Sequence, residues 1–267
     1  MENSSTSYLK PDTSRSIIAR SASGNRTHPR HVIVAGAGGG LGTALCARLS
    51  LQFPEITLTR FSRNPTQLDS LEVNAFDLPL NLAQPEQINN TVSQVNLEPH
   101  PDWIFIASGW LHAAEMMPER TYRELEANHL ERSFRINAIG PALLMKYLAE
   151  RFKHTHTLKI GVLSARLGSI SDNRLGGWHA YRASKAGLNM LIKNFAIEMT
   201  RNRPNWSIVG LQPGTTDTPL SRPFQRGLRT HLHSAEDTSR QLIRIMQALK
   251  PEHSGNLYDR DGIPFQP

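Results

Sequence analysis

Tyr181 and Lys185 stand four positions apart in the segment Tyr-Arg-Ala-Ser-Lys. On a helix this spacing puts both side chains on one face. An ammonium group near a phenol stabilises the phenolate, so it lowers the pKa of the tyrosine from about 10 towards neutral pH. A tyrosine tuned in this way can give or take a proton at a reacting oxygen. Taken alone, the same spacing is also that of an ordinary exposed pair.

A glycine cluster, Gly36-Ala-Gly-Gly-Gly-Leu-Gly42, follows an apolar run and precedes a helical pattern. Glycines at the turn from a strand into a helix let the backbone approach a pyrophosphate, and the helix N-terminus favours its negative charge. The spacing is G-x-x-x-G-x-G, because Leu41 stands where G-x-G-x-x-G needs its third glycine. The cluster predicts a dinucleotide site, and a plain tight turn is the alternative.

The second predicted strand ends at Thr59-Arg-Phe-Ser-Arg63, without an acidic residue. A carboxylate here would bind the ribose 2′-hydroxyl of NAD, whereas a guanidinium pairs with the 2′-phosphate of NADP. The nearest acids, Glu55 and Asp69, lie before the strand and well after it. The sequence therefore predicts NADPH over NADH, with Arg63, alone or together with Arg60, as the phosphate ligand. Solvated surface arginines are the alternative.

These motifs, in this order, resemble those of the classical short-chain dehydrogenase/reductase family over residues 31–267. Asp77 resembles the family's adenine-contacting acid, and Asn137 resembles its catalytic asparagine. The segment 213–218, Pro-Gly-Thr-Thr-Asp-Thr, is similar to the loop that closes on the nicotinamide. The loop 168–178 and the ending 254–262 are most similar to a C-factor-like, carbonyl-reductase-like subgroup.

The resemblance implies hydride transfer between C4 of the nicotinamide and a carbonyl or alcohol carbon. Tyr181 is then the acid/base, Lys185 holds the ribose hydroxyls, and Asn137 holds a water. Pro141 has no N–H, so in a helix it leaves the carbonyl of Asn137 free for that water. The resemblance places these residues at the cofactor: Gly36, Gly38, Gly40, Leu41, Gly42, Arg63, Asp77, Leu78, Gly109, Tyr181, Lys185, Pro213, Gly214, Thr216 and Thr218. No metal ligands are expected.

The family's serine, which hydrogen-bonds the substrate oxygen, is displaced in this chain. Ala165 stands at its usual place. Ser164 is one residue early and tends to face the other side of the strand. We expect Ser164 to take the role, with Ser169 and no serine at all as the alternatives.

The elements that position these residues follow from alternating patterns. Short apolar runs predict strands, and longer amphipathic segments between them predict helices, so the strands are parallel and joined by crossovers. We expect one α/β domain with a Rossmann fold, a doubly wound parallel sheet with helices on both faces. The predicted strands are 31–35, 56–61, 72–76, 103–107, 158–163 and 206–211, and the predicted helices are 41–52, 85–95, 119–152, 179–202 and 235–249.

Composition sets outer limits on the class of protein. The chain has 267 residues, 39% of them hydrophobic, a single cysteine and a net charge of +7. One cysteine excludes a disulfide framework, and no apolar run reaches the roughly 18 residues of a membrane helix. Residues 1–30 are basic and lack periodicity, which predicts a flexible arm, with a transit peptide as the alternative. No nucleic-acid module is apparent.

The sequence therefore predicts an NADP(H)-dependent carbonyl reductase or alcohol dehydrogenase, with a small-molecule substrate and neither nucleic acid nor membrane as a partner. The alternative is a cofactor-binding signalling or regulatory protein of C-factor type with little or no catalysis. We expect a cytoplasmic homodimer or homotetramer. A variable lid is predicted over 217–234, with Trp110, Leu111, Trp178, Leu220 and Phe224 as candidate pocket walls.

Overall fold

A single sheet organises the chain in the computed structural model, which describes residues 16–20, 28–152, 156–227 and 231–267. The strand order is β3-β2-β1-β4-β5-β6-β7-β8, and only the β7–β8 pairing is antiparallel. The strands are β1 His31–Ala35, β2 Thr57–Ser62, β3 Asn74–Pro79, β4 Trp103–Ile106, β5 Leu158–Leu163, β6 Trp206–Gln212, β7 Leu257–Asp259 and β8 Pro264–Phe265.

Helices cover both faces of this sheet. One apolar cluster joins the sheet to α3, α5 and α6, and a second joins it to α1, α2 and α7. The helices are α1 Ile17–Arg20, α2 Gly40–Gln52, α3 Pro85–Ser93, α4 Ala127–Phe134, α5 Gly140–Arg151, α6 His179–Asn202 and α7 Ala235–Ala248. Strands β1, β2, β4 and β5 are buried along their whole length, as expected for strands covered on both faces. The predicted doubly wound Rossmann fold is confirmed.

The chain leaves the sheet centre in opposite directions on either side of β1 and β4. At such a switch point the loops after the two strands separate and leave a crevice at the carboxyl edge of the sheet. Gly36 follows β1 and Gly109 lies just beyond β4, so both belong to this edge.

The predicted helix 119–152 begins later than expected, and its middle is not a regular α-helix. Helix α4 begins only at Ala127, after a loop with a short 3-10 turn, where the Thr121 hydroxyl accepts the N–H of Arg123 at 3.3 Å. A side chain that satisfies the backbone locally competes with the helix. Between α4 and α5, residues Arg135–Ile139 widen into a π-helix, which α-helical periodicity does not show.

Part of the basic arm differs from the expected flexible tail. Ile17 is only 6% exposed, and its N–H donates to the carbonyl of Gly262 at 3.0 Å. It joins the apolar cluster on the α2 and α7 side. The rest of the arm, residues 1–15 and 21–27, lies outside the described part of the chain.

Strands β7 and β8 were not predicted, because segments of three and two residues are too short to show a period. The third strand lies at 74–79 rather than 72–76, and this shift matters at the cofactor end of the site.

Candidate active site

A cavity of about 1620 Å³ opens at the carboxyl edge of the sheet. Its wall combines the glycine loop after β1, the ends of β2, β4, β5 and β6, and the first turns of α6. The motifs that are far apart in the sequence therefore meet at one crevice.

Some glycines of the loop allow close packing of the backbone, and others line the cavity. Gly36 has φ 91°, and a Cβ on Gly42 would lie 2.0 Å from the carbonyl oxygen of Gly36, so Gly42 lets the helix close onto the turn. Gly42 is absent from the cavity wall, whereas Gly36, Gly38, Gly40 and Leu41 line it. Helix α2 begins at Gly40, so its free N–H groups face the place where the sequence predicts a pyrophosphate.

Tyr181 and Lys185 lie on the first two turns of α6, and both line the cavity. The Lys185 Nζ donates to the carbonyl oxygen of Leu163 at 2.9 Å and lies 5.9 Å from the centre of the Tyr181 ring. Burial raises the pKa of Tyr181 to about 12 and lowers the pKa of Lys185 to about 8. The predicted lowering of the tyrosine pKa is therefore not found, because desolvation of the buried phenol raises it.

Asn137 is fully buried in the π-helix and does not line the cavity, although its neighbour Ile136 does. Its side-chain oxygen accepts the N–H of Trp110 at 2.8 Å, and its amide donates to the Trp110 carbonyl at 2.8 Å and to the Ser184 hydroxyl at 3.1 Å. These bonds tie the loop after β4 to α6, one residue before Lys185. Both protons of the side-chain amide are used in these bonds, so a water at this residue would have to bind to one of its oxygens.

The two candidate serines are placed differently. Ser164 lines the cavity, but its hydroxyl donates to the Asn189 side-chain oxygen at 2.5 Å. A hydroxyl has one proton to donate, so this bond leaves Ser164 only lone pairs to offer to a ligand. Ser169 lies off the cavity wall, and its hydroxyl donates to the Gln266 carbonyl at 2.8 Å.

At the adenosine end, Arg60 and Arg63 have different partners. The Arg60 Nε and Nη2 each donate to the Asp77 carboxylate at 2.6 Å, since the two residues face each other across β2 and β3. Arg60 is 5% exposed and does not line the cavity, whereas Arg63 does. The expectation that Arg60 assists with the phosphate is wrong, because its guanidinium is already paired.

The two residues expected to contact the adenine, Asp77 and Leu78, also differ from the prediction. Asp77 and Leu78 do not line the cavity, whereas Asn81 and Leu82 do. Strand β3 continues to Pro79, so the residues that follow it, rather than Asp77, reach the crevice. The sequence missed this because it ended the strand at residue 76.

The segment after β6 closes over the glycine loop. Pro213, Gly214, Thr216 and Thr218 all line the cavity, and a Cβ on Gly40 would lie 2.9 Å from the Thr218 Cβ. Residues 228–230 of the predicted lid lie outside the described ranges.

Aromatic rings form the wall beside Tyr181. The Trp178 ring lies 4.8 Å from Phe224 and 6.4 Å from Tyr181, and Phe224 lies 5.4 Å from the ring of His112. All five predicted wall residues line the cavity, namely Trp110, Leu111, Trp178, Leu220 and Phe224.

Sequence reasoning missed a buried pair under this wall. Glu119 is 1% exposed, and its Oε1 lies 3.3 Å from the Nδ1 of His129. The Oε2 of Glu119 accepts the N–H of Ala180 at 3.3 Å, and its backbone oxygen accepts the N–H of Trp178 at 2.5 Å. A carboxylate at a helix N-terminus is favoured by the helix dipole. Glu119 thus holds the start of α6, directly before Tyr181.

Comparison with known proteins identifies the family of this chain. The family model for short chain dehydrogenase matches residues 30–228, and the chain belongs to this family of oxidoreductases. The C-signal of Myxococcus xanthus is 31% identical over 134 residues, which are 50% of this chain and 75% of that protein.

Two solved structures share the fold. The carbonyl reductase Sniffer of D. melanogaster has a TM-score of 0.76 at 20% identity, covering 90% of this chain and 100% of that one. An NADPH-bound carbonyl reductase from chicken fatty liver has a TM-score of 0.75 at 19% identity, with the same coverage.

In the described ranges, no helix is long and apolar enough to cross a membrane.

Proposed function

We propose that this protein is an NADP(H)-dependent reductase of small carbonyl compounds, or the corresponding alcohol dehydrogenase. The observation that carries the proposal is the meeting of Tyr181 and Lys185 with the glycine loop in one cavity. Bound NADPH would supply hydride to the carbonyl carbon.

In this proposal Tyr181 gives the proton to the substrate oxygen. With its pKa raised to about 12, the phenol is protonated at neutral pH, which suits carbonyl reduction. Lys185, positioned by the Leu163 carbonyl, would hold the ribose hydroxyls and stabilise the phenolate that forms. Asn137 keeps the loop after β4 and helix α6 in register.

The cofactor preference rests on Arg63. It lines the cavity together with Ser62, Asn64 and Gln67, and no carboxylate is present at this end of the cavity wall as described. A guanidinium fits a 2′-phosphate, and there is no acid to repel it. Comparing the dissociation constants of NADPH and NADH tests this part, and equal affinity would overturn it.

The activity itself is tested by NADPH consumption with a panel of aldehydes, ketones and quinones. We expect turnover with at least one carbonyl class. Tight NADPH binding without turnover across the panel would favour the second candidate, a cofactor-binding regulatory protein. The bond from Ser164 to Asn189, with Ala165 at the serine position, favours that candidate.

We also propose that the protein is a cytoplasmic homodimer or homotetramer. Apolar side chains on the α4–α6 side are exposed, including Leu125 at 41%, Ile139 at 44% and Met190 at 62%. Burial of such a face would favour a homodimer or homotetramer. Light scattering that shows a stable monomer at micromolar concentration would contradict this. The single, buried Cys46 fits a reducing, cytoplasmic compartment.

A further inference from the structure

Positively charged side chains outnumber negatively charged ones around the cavity. Six guanidiniums line it, and Asp172 is the one carboxylate among its described wall residues. That carboxylate is paired, since it lies 3.6 Å from the Nη1 of Arg166. The arginines of the wall are Arg63, Arg132, Arg166, Arg174, Arg182 and Arg226. A cleft lined by charges of one sign attracts ligands of the other.

Three of these arginines belong to the substrate end. Arg182 follows Tyr181 on α6, and its Nε donates to the Gly177 carbonyl at 3.0 Å, next to Trp178. Arg174 lies in the loop before α6, and Arg226 lies two residues beyond Phe224. The adenosine-end arginine, Arg63, belongs to the turn after β2 instead.

None of these three guanidiniums forms an ion pair with a described residue. For Arg174 and Arg226, which are exposed, this is ordinary. Arg182 is different because it is partly buried, and burial lowers its pKa from the ordinary value. Its bond to the Gly177 carbonyl supplies no counter-charge, so a ligand of opposite charge would stabilise this partly desolvated guanidinium.

The apolar part of the wall limits what that ligand can be. Trp178, Phe224 and Leu220 line the cavity beside Tyr181, so a fully hydrated ion does not fit the surface well. An organic molecule with an apolar body and an anionic end matches both features.

We propose that the substrate is a carbonyl compound that carries an anionic group, a carboxylate in particular, which Arg182 binds with support from Arg174 and Arg226. This inference rests on the proposed function, since it places the reacting carbonyl at Tyr181. The planar guanidinium of Arg182 has Nη donors free for a carboxylate, whose geometry it matches.

The test measures binding without turnover. 4-Formylbenzoate and its methyl ester are titrated by calorimetry into the Tyr181→Phe protein saturated with NADPH. The acid is expected to bind about 10-fold more tightly than the ester. In the same background, Arg182→Gln is expected to remove most of this preference while ester binding changes less than about twofold.

Two controls make the result specific. Arg244→Gln removes the same charge from the exposed face of α7, where Arg244 donates to Gln241, and should keep the preference. A double variant, Arg174→Gln with Arg226→Gln, provides a second test should Arg182→Gln not fold. It is expected to reduce the preference for the acid in part.

Equal binding of acid and ester overturns the proposal. So does an arginine variant that loses NADPH affinity but keeps the preference, because these arginines would then serve the cofactor. Preference for the acid together with no turnover of any carbonyl by the wild-type protein would support the anion site while refuting the proposed reductase activity.

Discussion

The two ends of the cavity are built in different ways. The cofactor end is built mainly from backbone and glycines at strand ends, where Gly36 and Gly42 allow no larger residue, and Arg63 is its charged side chain. The substrate end consists of long side chains on loops, such as Arg174 and Phe224. Backbone at strand ends is fixed by the sheet, whereas loops carry variable side chains on that scaffold. We therefore expect the first end to determine which cofactor binds and the second to determine which substrate binds.

The cofactor end should be more sensitive to substitution than the substrate end. Gly42→Ala puts a Cβ 2.0 Å from the Gly36 carbonyl oxygen, and we expect it to lower the free energy of unfolding by at least about 3 kcal/mol. Gly39→Ala in the same loop has its nearest contact at 3.3 Å and should cost less than about 1 kcal/mol. Urea denaturation of both variants checks this, and similar losses would contradict the difference between the two positions.

Glu119 holds the start of α6, the helix from which Tyr181 reaches the cavity. Glu119→Gln keeps the shape but removes the charge that faces the helix N-terminus and His129. Because Tyr181 follows directly, we expect kcat to fall by about 10-fold while the KM for NADPH stays within about twofold. Glu124→Gln, an exposed residue of the same loop, is the matched control. An equal effect of both variants would show that Glu119 has no special positioning role.

Arg60 and Arg63 provide a sharper contrast within the cofactor end. Arg63→Gln should weaken NADPH binding by about 10-fold or more and leave NADH binding nearly unchanged. Arg60→Gln should instead lower stability by about 1–3 kcal/mol, since it leaves Asp77 without its partner. Fluorescence titration and thermal unfolding of both variants separate these effects. Loss of NADPH selectivity in Arg60→Gln, with none in Arg63→Gln, would reverse the assignment.

These contrasts also explain how much the sequence could predict. The glycine loop, Tyr181 and Lys185 could be predicted because their spacing follows from strand-to-helix and helical geometry. Asp77 was misplaced because the end of β3 depends on sheet pairing, which one sequence does not show. The bond from Ser164 to Asn189 and the Glu119–His129 pair join residues that are distant in the chain, so no local pattern indicates them.

The smallest expected effect is on the pH dependence of the free energy of unfolding. Its source is Lys159, which lies away from the cavity. Burial lowers the pKa of Lys159 to about 8 from its ordinary value of about 10.5, which it regains in the unfolded chain. Between these values the unfolded chain binds more protons, so this lysine makes the free energy of unfolding rise with pH. Below about pH 8 both states are protonated and the contribution is constant.

Urea unfolding at pH 7.5 and 9.5 measures this contribution. The rise in stability should be smaller in Lys159→Met than in the wild type, whereas Lys146→Met, at an exposed position, should behave like the wild type. An identical pH dependence in all three proteins would contradict the assignment.

In the proposed reaction Tyr181 supplies the proton while the rest of the site holds the cofactor. Tyr181→Phe removes only the hydroxyl from a ring that packs near Trp178. We predict that NADPH binding, followed by fluorescence titration, stays within about twofold, while the single-turnover rate of carbonyl reduction falls by about 10²–10⁴-fold. Turnover retained at more than about one tenth of the wild-type rate would contradict this role for Tyr181.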